Sequence, residues 1–228
     1  MCSKRIFLAV SFFLLAAALF AVDFGITVGG GAILGGNFTS SETDPTDLMG
    51  GAMKMTLSYD TSTFDAGAFI FADATYAELA VAYIAEIGTV TGESITTILG
   101  TDPIEEDYVS HVLIVDLLGK YPIILNDRLI VFPALGIGVK LPFAGNDNSD
   151  KEHAITWGIT AKAGAGLDFA LSERLSLRGE ALFSYQFISD RDATIEFGPP
   201  LGKNDFKFKE SGYNFGPQVK IGLGYKIL

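Results

Sequence analysis

The chain contains one cysteine, one tryptophan and two histidines among its 228 residues. Cys2 lies ahead of the first apolar segment, so disulfides and thiolate metal sites are excluded from the rest of the chain. Positive charge is also scarce, since 16 Lys and Arg stand against 27 Asp and Glu, for a net charge of −11. Proteins that bind nucleic acid carry basic patches, so we expect no nucleic-acid partner.

Long apolar runs are missing beyond the N-terminus, and no later segment predicts a membrane-spanning helix. At the N-terminus, Lys4 and Arg5 precede an apolar stretch, residues 7–20. Small alanines lie at the end of this stretch and directly after it. This is the pattern of a secretory signal peptide. We therefore predict that residues 1–21 are a cleaved signal peptide and that residues 22–228 form one domain, with cleavage after Ala18 or Ala21.

Groups suited to catalysis are few. His111 is predicted near the end of a strand on the outer face, and His153 is predicted in a loop. No nucleophile motif accompanies either histidine, and a catalytic triad needs all its members within hydrogen-bond reach. We predict no catalytic residue, no cofactor and no metal site. An integral-membrane enzyme is the third-ranked alternative.

Alternation of apolar and polar residues is what the chain has in abundance. From Tyr213 to Ile227 every odd position is apolar, and the even positions are small or polar. A period of two indicates a strand, because successive side chains leave opposite faces. The same alternation recurs in seven other segments: 22–36, 52–59, 76–87, 108–123, 129–143, 155–171 and 175–187. We predict an all-β fold: an eight-stranded antiparallel transmembrane β-barrel of the outer-membrane type, arranged as an up-and-down meander.

The predicted connections alternate between short and long, as in such barrels. Residues 126–128 and 172–174 predict tight turns, because Asn, Asp and Ser favour turns. The long connections are expected to be outer loops that carry the excess negative charge, and they are 37–51, 88–107, 144–154 and 188–212. Residues 60–75 leave three alternatives open: they extend the third strand, 76–87, fold beneath the barrel, or add strands to make ten.

The predicted inner face carries charges of both signs in nearly equal number. Side chains fill the interior of an eight-stranded barrel, and unpaired charge there is costly, so we expect ion pairs across the lumen. The predicted polar network consists of Lys54, Glu78, Asp116, Lys140, Lys162, Asp168, Arg178, Glu180 and Lys220.

Outward aromatic residues predict a girdle at each of two membrane interfaces. The first girdle comprises Tyr59, Tyr121, Phe169 and Tyr225. The second comprises Trp157, Tyr185 and Tyr213.

Together, the signal-like N-terminus, the eight alternating segments, the run 170–180 across a tight turn and the terminal strand resemble small outer-membrane barrels. These include the membrane domain of OmpA, OmpX and the OmpW-like proteins, and segment 71–78 is similar to spirochaete-type barrels. The resemblance implies a place in the cell outer membrane, with outer-membrane lipid and the barrel-assembly machinery as partners. Two functions stay open: a structural or surface-interaction role, with a host or environmental ligand at the acidic outer loops, and a narrow, OmpW-like channel for small solutes, hydrophobic ones included.

Overall fold

A computed structural model describes residues 25–43, 46–48, 53–96, 100–145, 158–188, 191–196, 203–208 and 210–227. Its long strands are β1 (Thr27–Thr43), β3 (Met53–Asp73), β4 (Ala77–Thr96), β5 (Gly100–Lys120), β7 (Leu129–Gly145), β8 (Gly158–Ala170), β9 (Leu175–Ile188) and β12 (Glu210–Lys226). Its short strands are β2 (Thr46–Leu48), β6 (Ile123–Asn126), β10 (Arg191–Glu196) and β11 (Lys203–Phe208). Within these residues, no helix is long and apolar enough to cross a membrane. The predicted signal peptide, residues 1–21, lies outside the described residues.

The eight long strands close into one antiparallel ring. Each pairs with the next long strand along the chain, and β1 closes the ring by pairing with both β3 and β12. The predicted eight-stranded antiparallel barrel with up-and-down connections is therefore confirmed. The pair β10–β11 forms a separate two-stranded sheet.

The stagger of the strands fixes the shape of the barrel. Following paired residues around the ring from Val28 leads back to β1 at Phe38, ten residues further along (28 to 38). In eight strands, a stagger of this size tilts each strand by roughly 40° from the barrel axis. Such a barrel is narrow, so its interior is filled by side chains and is not a wide pore.

Residues 60–73 continue the strand that begins at Met53, and not the third alternating segment, 76–87, so they add no strand to the ring. The predicted orientation of residues 52–59, with Lys54 facing the lumen and Tyr59 facing outward, is wrong. Asp65 and Phe69 are buried whereas Phe64 and Ile70 are exposed, so odd positions of β3 face the lumen. The alternation of residues 52–59 predicted the opposite face, because outward positions near the end of this strand are polar, as at Ser58.

The prediction of an outer loop at residues 88–107 is also wrong. β4 extends to Thr96 and β5 begins at Gly100, so this segment is a long hairpin that continues the barrel wall. We call the end of the barrel that carries this β4–β5 hairpin the raised end. We call the opposite end, where short links join the strands, the turn end. The acidic residues expected in a loop therefore lie on paired strands.

The short links at the turn end have defined local causes. Asn126 Oδ1 accepts hydrogen bonds from the backbone N–H groups of Arg128 and Leu129, at 2.9 and 3.0 Å. Ser172 Oγ accepts one from the N–H of Leu175, at 3.1 Å. Both are side-chain turns of the kind that these residue types favour. Between β3 and β4, Thr75 adopts a φ of 62°, which is unusual for a β-branched residue.

Candidate functional site

Side chains pack the lumen in three polar tiers, and the lower tier closes the turn end. Arg178 donates hydrogen bonds to both carboxylate oxygens of Asp168, at 2.7 and 2.6 Å, and to Glu78 at 2.7 Å. The guanidinium also contacts Asp73, which pairs with Lys120 as well. Lys120 lies 3.3 Å from Glu78, so three carboxylates share two cations in this tier.

Aromatic rings hold the cations of the lower tier in place. The guanidinium of Arg178 lies 4.3 Å from the centroid of the Phe71 ring and 5.5 Å from that of Phe132. Lys120 Nζ lies 4.4 Å from the Phe132 centroid. Cation–π contacts of this kind strengthen when water is excluded. The tier is therefore a packed plug and not a ring of solvated charges.

The middle tier is built around Asp116. Lys162 Nζ donates to this carboxylate at 2.8 Å and to Gln218 at 2.9 Å, and Lys220 Nζ lies 3.4 Å from Asp116. Lys220 also lies 3.5 Å from Glu180. Both oxygens of Glu180 are buried and accept no hydrogen bond. Glu180 is thus the most weakly compensated charge of this tier.

The upper tier lies nearer the raised end. Lys140 Nζ pairs with Glu86 at 2.5 Å. Asn37 donates to Asp65, which also accepts a hydrogen bond from Thr63 at 2.7 Å. Between the upper and middle tiers a cavity of about 10 Å³ remains. That volume is about the minimum that one water molecule occupies.

Apolar side chains fill much of the remaining lumen. One buried cluster lines β1, β3, β4 and β5 and comprises Ile33, Phe69, Phe71, Ala80, Ala82, Ile84, Val112 and Ile114. A second comprises Leu118, Phe132, Ala134 and Leu182. Charged and apolar side chains therefore share the same strands, as on β4, where Glu78 and Glu86 lie on either side of Ala80, Ala82 and Ile84.

The structure places most of the predicted polar network in these tiers. Glu78, Asp168 and Arg178 belong to the lower tier, Asp116, Lys162, Glu180 and Lys220 to the middle tier, and Lys140 to the upper tier. The side chain of Lys54 lies outside the described residues. Asp65 and Asp73 were not predicted, because residues 60–75 had no assigned orientation. Continuing a strict alternation through that segment would have placed both on one face.

The outer surface of the barrel carries apolar side chains over its middle. Leu135 and Ile221 are 70% and 59% exposed, although both are strongly apolar. Over the described residues, no Asp, Glu, Lys or Arg occupies an outward position between the turn end and the level of Phe38 and Tyr213. The outer face is thus apolar and the inner face charged, which inverts the arrangement of a soluble protein.

The aromatic residues predicted for the girdles have different outcomes. Tyr121, Phe169 and Tyr225 are exposed outward near the turn end, whereas Tyr185 and Tyr213 lie on outward positions towards the raised end. Tyr59 does not belong with the first group. It pairs with Ser41 and Gly92 near the raised end and shares the inward face of β3 with Asp65. Trp157 lies outside the described residues.

His111 lies well inside β5, and not near a strand end as predicted. Its Nδ1 lies 2.8 Å from the Tyr83 hydroxyl, and the two rings stack at 5.9 Å. The pair lies on the outer face near the upper edge of the apolar surface. His153 lies outside the described residues, and the absence of enzymatic activity stays a prediction.

The comparisons with known proteins concern the fold. No protein-family model matches the chain, and no curated protein matches it. Among solved structures, the outer-membrane protein OprG from Pseudomonas aeruginosa is 18% identical, with a TM-score of 0.46, and the match covers 90% of this chain and 96% of that one. The outer-membrane protease OmpT from Escherichia coli is 9% identical, with a TM-score of 0.42, covering 89% and 97%. The E. coli outer-membrane protein W is 13% identical, with a TM-score of 0.36, covering 90% and 98%. The chain is thus similar to outer-membrane β-barrel proteins.

Proposed function

We propose that this protein is an integral outer-membrane β-barrel with a closed lumen, which acts through its surface at the raised end. The observation that carries the proposal is the packed interior, where ion pairs and apolar side chains fill the space between opposite walls. The role is structural or one of surface interaction. Outer-membrane lipid, the barrel-assembly machinery and a host or environmental ligand are the partners we propose.

The apolar outer face supports the membrane location. On β8, the outward positions from Ile159 to Phe169 carry no charged side chain. At a tilt of about 40°, this stretch rises roughly 25 Å along the barrel axis. That height matches the apolar band of outer-membrane barrels. We propose that the raised end faces the outside of the cell and the turn end the periplasm.

The raised end supports the surface role. Above the apolar band, the outward positions of β1, β3, β4 and β5 carry exposed carboxylates instead of lipid-compatible residues. They are Glu42, Asp60, Glu93, Glu105 and Asp107. Because these residues lie on paired strands, the acidic surface has a fixed shape. This surface replaces the acidic loops of the sequence-based hypothesis as the proposed contact for an external ligand.

Conductance across planar bilayers tests the closed lumen. The refolded protein is expected to produce no ion-conducting steps. The double variant Phe69→Ala with Lys220→Ala is expected to conduct, because Lys220 lies 5.5 Å from the Phe69 ring and both fill the lumen. The adjacent outward positions give a matched control, Ile70→Ala with Val219→Ala, which is expected to stay silent. Steps in the unmodified protein would contradict the proposal.

Binding of an oligolysine peptide tests the acidic surface. The unmodified protein in lipid nanodiscs is expected to bind the peptide at low salt and to release it as ionic strength rises. A triple variant with Asp60→Asn, Glu93→Gln and Asp107→Asn is expected to lose that binding. Equal binding by the triple variant would exclude this surface as the contact.

A narrow channel for small solutes, including hydrophobic ones, is the second candidate. The apolar cluster on β1, β3, β4 and β5 favours it, because its side chains give the lumen an apolar surface between the lower and upper tiers. Uptake of a small hydrophobic solute into liposomes distinguishes the two candidates. Uptake through the unmodified protein that Phe69→Trp blocks would favour the channel over the closed barrel.

A further inference from the structure

The turn end of the barrel contains a cavity of about 420 Å³, which we call the vestibule. Its ceiling is the lower tier, and its rim consists of the short links and the ends of the strands. Pockets of 300–1,000 Å³ are typical of small-molecule sites. Because the lower tier closes it from above, the vestibule is a blind pocket that opens only towards the turn end.

The ceiling presents carboxylates to the vestibule and shields its cations. The side chains of Arg178 and Lys120 are each 2% exposed, whereas those of Asp168 and Asp73 are 19% and 7% exposed. Asp73 Oδ1 is buried and accepts no hydrogen bond. The ceiling therefore presents carboxylate oxygens to the vestibule, those of Asp168 above all, and little of its two cations.

The rim of the vestibule is positive. Arg128, Arg174 and Lys226 line the cavity and are exposed to solvent, together with Asp127 and Glu173. The three cations outnumber the two carboxylates at the rim. The vestibule therefore presents carboxylate oxygens at its inner end and an excess of positive charge at its opening.

We propose that the vestibule binds small zwitterionic solutes, with an ammonium group at the ceiling and a carboxylate at the rim. The ammonium donates to Asp168, the most exposed carboxylate of the ceiling. The solute's carboxylate accepts from the rim cations, and hydrogen bonds between ions are the strongest available here. A solute with only one of the two charges engages one depth of the pocket and leaves the other unused.

Solutes that differ only in charge test this arrangement. The probes are γ-aminobutyrate, propylamine and butyrate, measured by saturation-transfer NMR on the full refolded protein in detergent micelles. We expect γ-aminobutyrate to bind about tenfold more tightly than either of the others, because it makes one additional charged contact. Equal affinities for γ-aminobutyrate and propylamine, or no measurable binding, would overturn the proposal.

Variants at the two depths separate the two contacts. Asp168→Asn is expected to weaken binding of both γ-aminobutyrate and propylamine. The exposed double variant Arg174→Gln with Lys226→Gln is expected to reduce γ-aminobutyrate to the affinity of propylamine and to leave propylamine unchanged, and it keeps the test valid if Asp168→Asn does not fold. Asp102→Asn, at an exposed position of β5 at the raised end, is the control and is expected to change nothing. If this control weakens binding as strongly as the rim variant, the site is not the vestibule. The result does not depend on whether the lumen conducts.

Discussion

Arg178 on β9 lies directly opposite Asp168 on β8, and its guanidinium donates hydrogen bonds to both oxygens of the Asp168 carboxylate, at 2.7 and 2.6 Å. A planar guanidinium can bind a carboxylate through two parallel hydrogen bonds, a bidentate geometry that a lysine ammonium cannot reproduce. The same guanidinium reaches across the lumen to Glu78 on β4. One side chain thus links neighbouring and opposite walls of the barrel.

Replacing Arg178 is expected to destabilise the barrel strongly. Arg178→Ala leaves Asp73, Glu78 and Asp168 with only Lys120, and removing one partner of a buried ion pair costs about 3–5 kcal/mol. Arg178→Lys is expected to recover only part of this loss. Urea unfolding in lipid vesicles, followed by gel mobility, measures the change. Arg128→Ala, at an exposed turn, is the control and is expected to lie within about 0.5 kcal/mol of the unmodified protein.

Glu180 and Asp168 are expected to respond differently to loss of charge. Glu180 accepts no hydrogen bond in the lumen, and its one ion contact, with Lys220, is long at 3.5 Å, so Glu180→Gln is expected to lower the free energy of unfolding by less than about 1.5 kcal/mol. Asp168→Asn breaks the bidentate ion pair with Arg178 and is expected to lower the free energy of unfolding by about 1.5–3 kcal/mol. The same unfolding assay compares the two. A larger loss for Glu180→Gln than for Asp168→Asn would contradict the packing described for the middle tier.

Two glycines on neighbouring strands test the packing of the lumen. A Cβ on Gly166 would lie 2.4 Å from the Phe132 ring and 2.9 Å from the carbonyl oxygen of Gly179. A Cβ on Gly179, which points outward, meets only Leu167 at an ordinary 3.8 Å. We expect Gly166→Ala to destabilise the barrel by about 1–3 kcal/mol and Gly179→Ala to be tolerated. Similar stabilities for the two variants would show that the lumen has spare room.

A charge on the outer face tests the apolar band. Leu135 is strongly exposed near its middle, so Leu135→Lys is expected to cost about 2–4 kcal/mol in a lipid bilayer. Asp60→Lys, on the outward face above the band, is expected to fold and insert normally. Folding efficiency into lipid vesicles of defined thickness measures both. Equal efficiencies would mean that lipid does not contact Leu135.

Much of the fold follows from alternation alone, and the misses have a common cause. The terminal strand, with Lys220 inward and Val219 and Ile221 outward, could be oriented because its outward face is apolar over most of its length. The segment around Ser58 could not, because it lies above the apolar band of the outer face. There the outward residues become polar, and the alternation no longer identifies the face.

The candidate site was predictable in kind but not in detail. The identity of inward charges such as Asp116 and Lys162 follows from strand parity. Which cation meets which carboxylate depends on the stagger of the barrel, and the contact between Arg178 and Glu78 spans 100 positions of sequence. The part of the buried apolar cluster formed by Phe69 and Phe71 was not predicted, because residues 60–75 had no assigned orientation. The turn at Thr75 gave no signal, because a β-branched residue rarely adopts a positive φ.

Scanning β8 with spin labels tests most directly the claim that lipid surrounds the barrel and packed side chains fill it. A chain expressed from residue 22 has no cysteine, so single cysteines can be introduced at each position from Ile159 to Asp168. In lipid vesicles, dissolved oxygen is expected to relax labels at odd positions strongly and labels at even positions weakly, while a water-soluble nickel complex reaches neither set in the middle of the strand. Access of the nickel complex to the odd positions, or the absence of any alternation, would contradict the account.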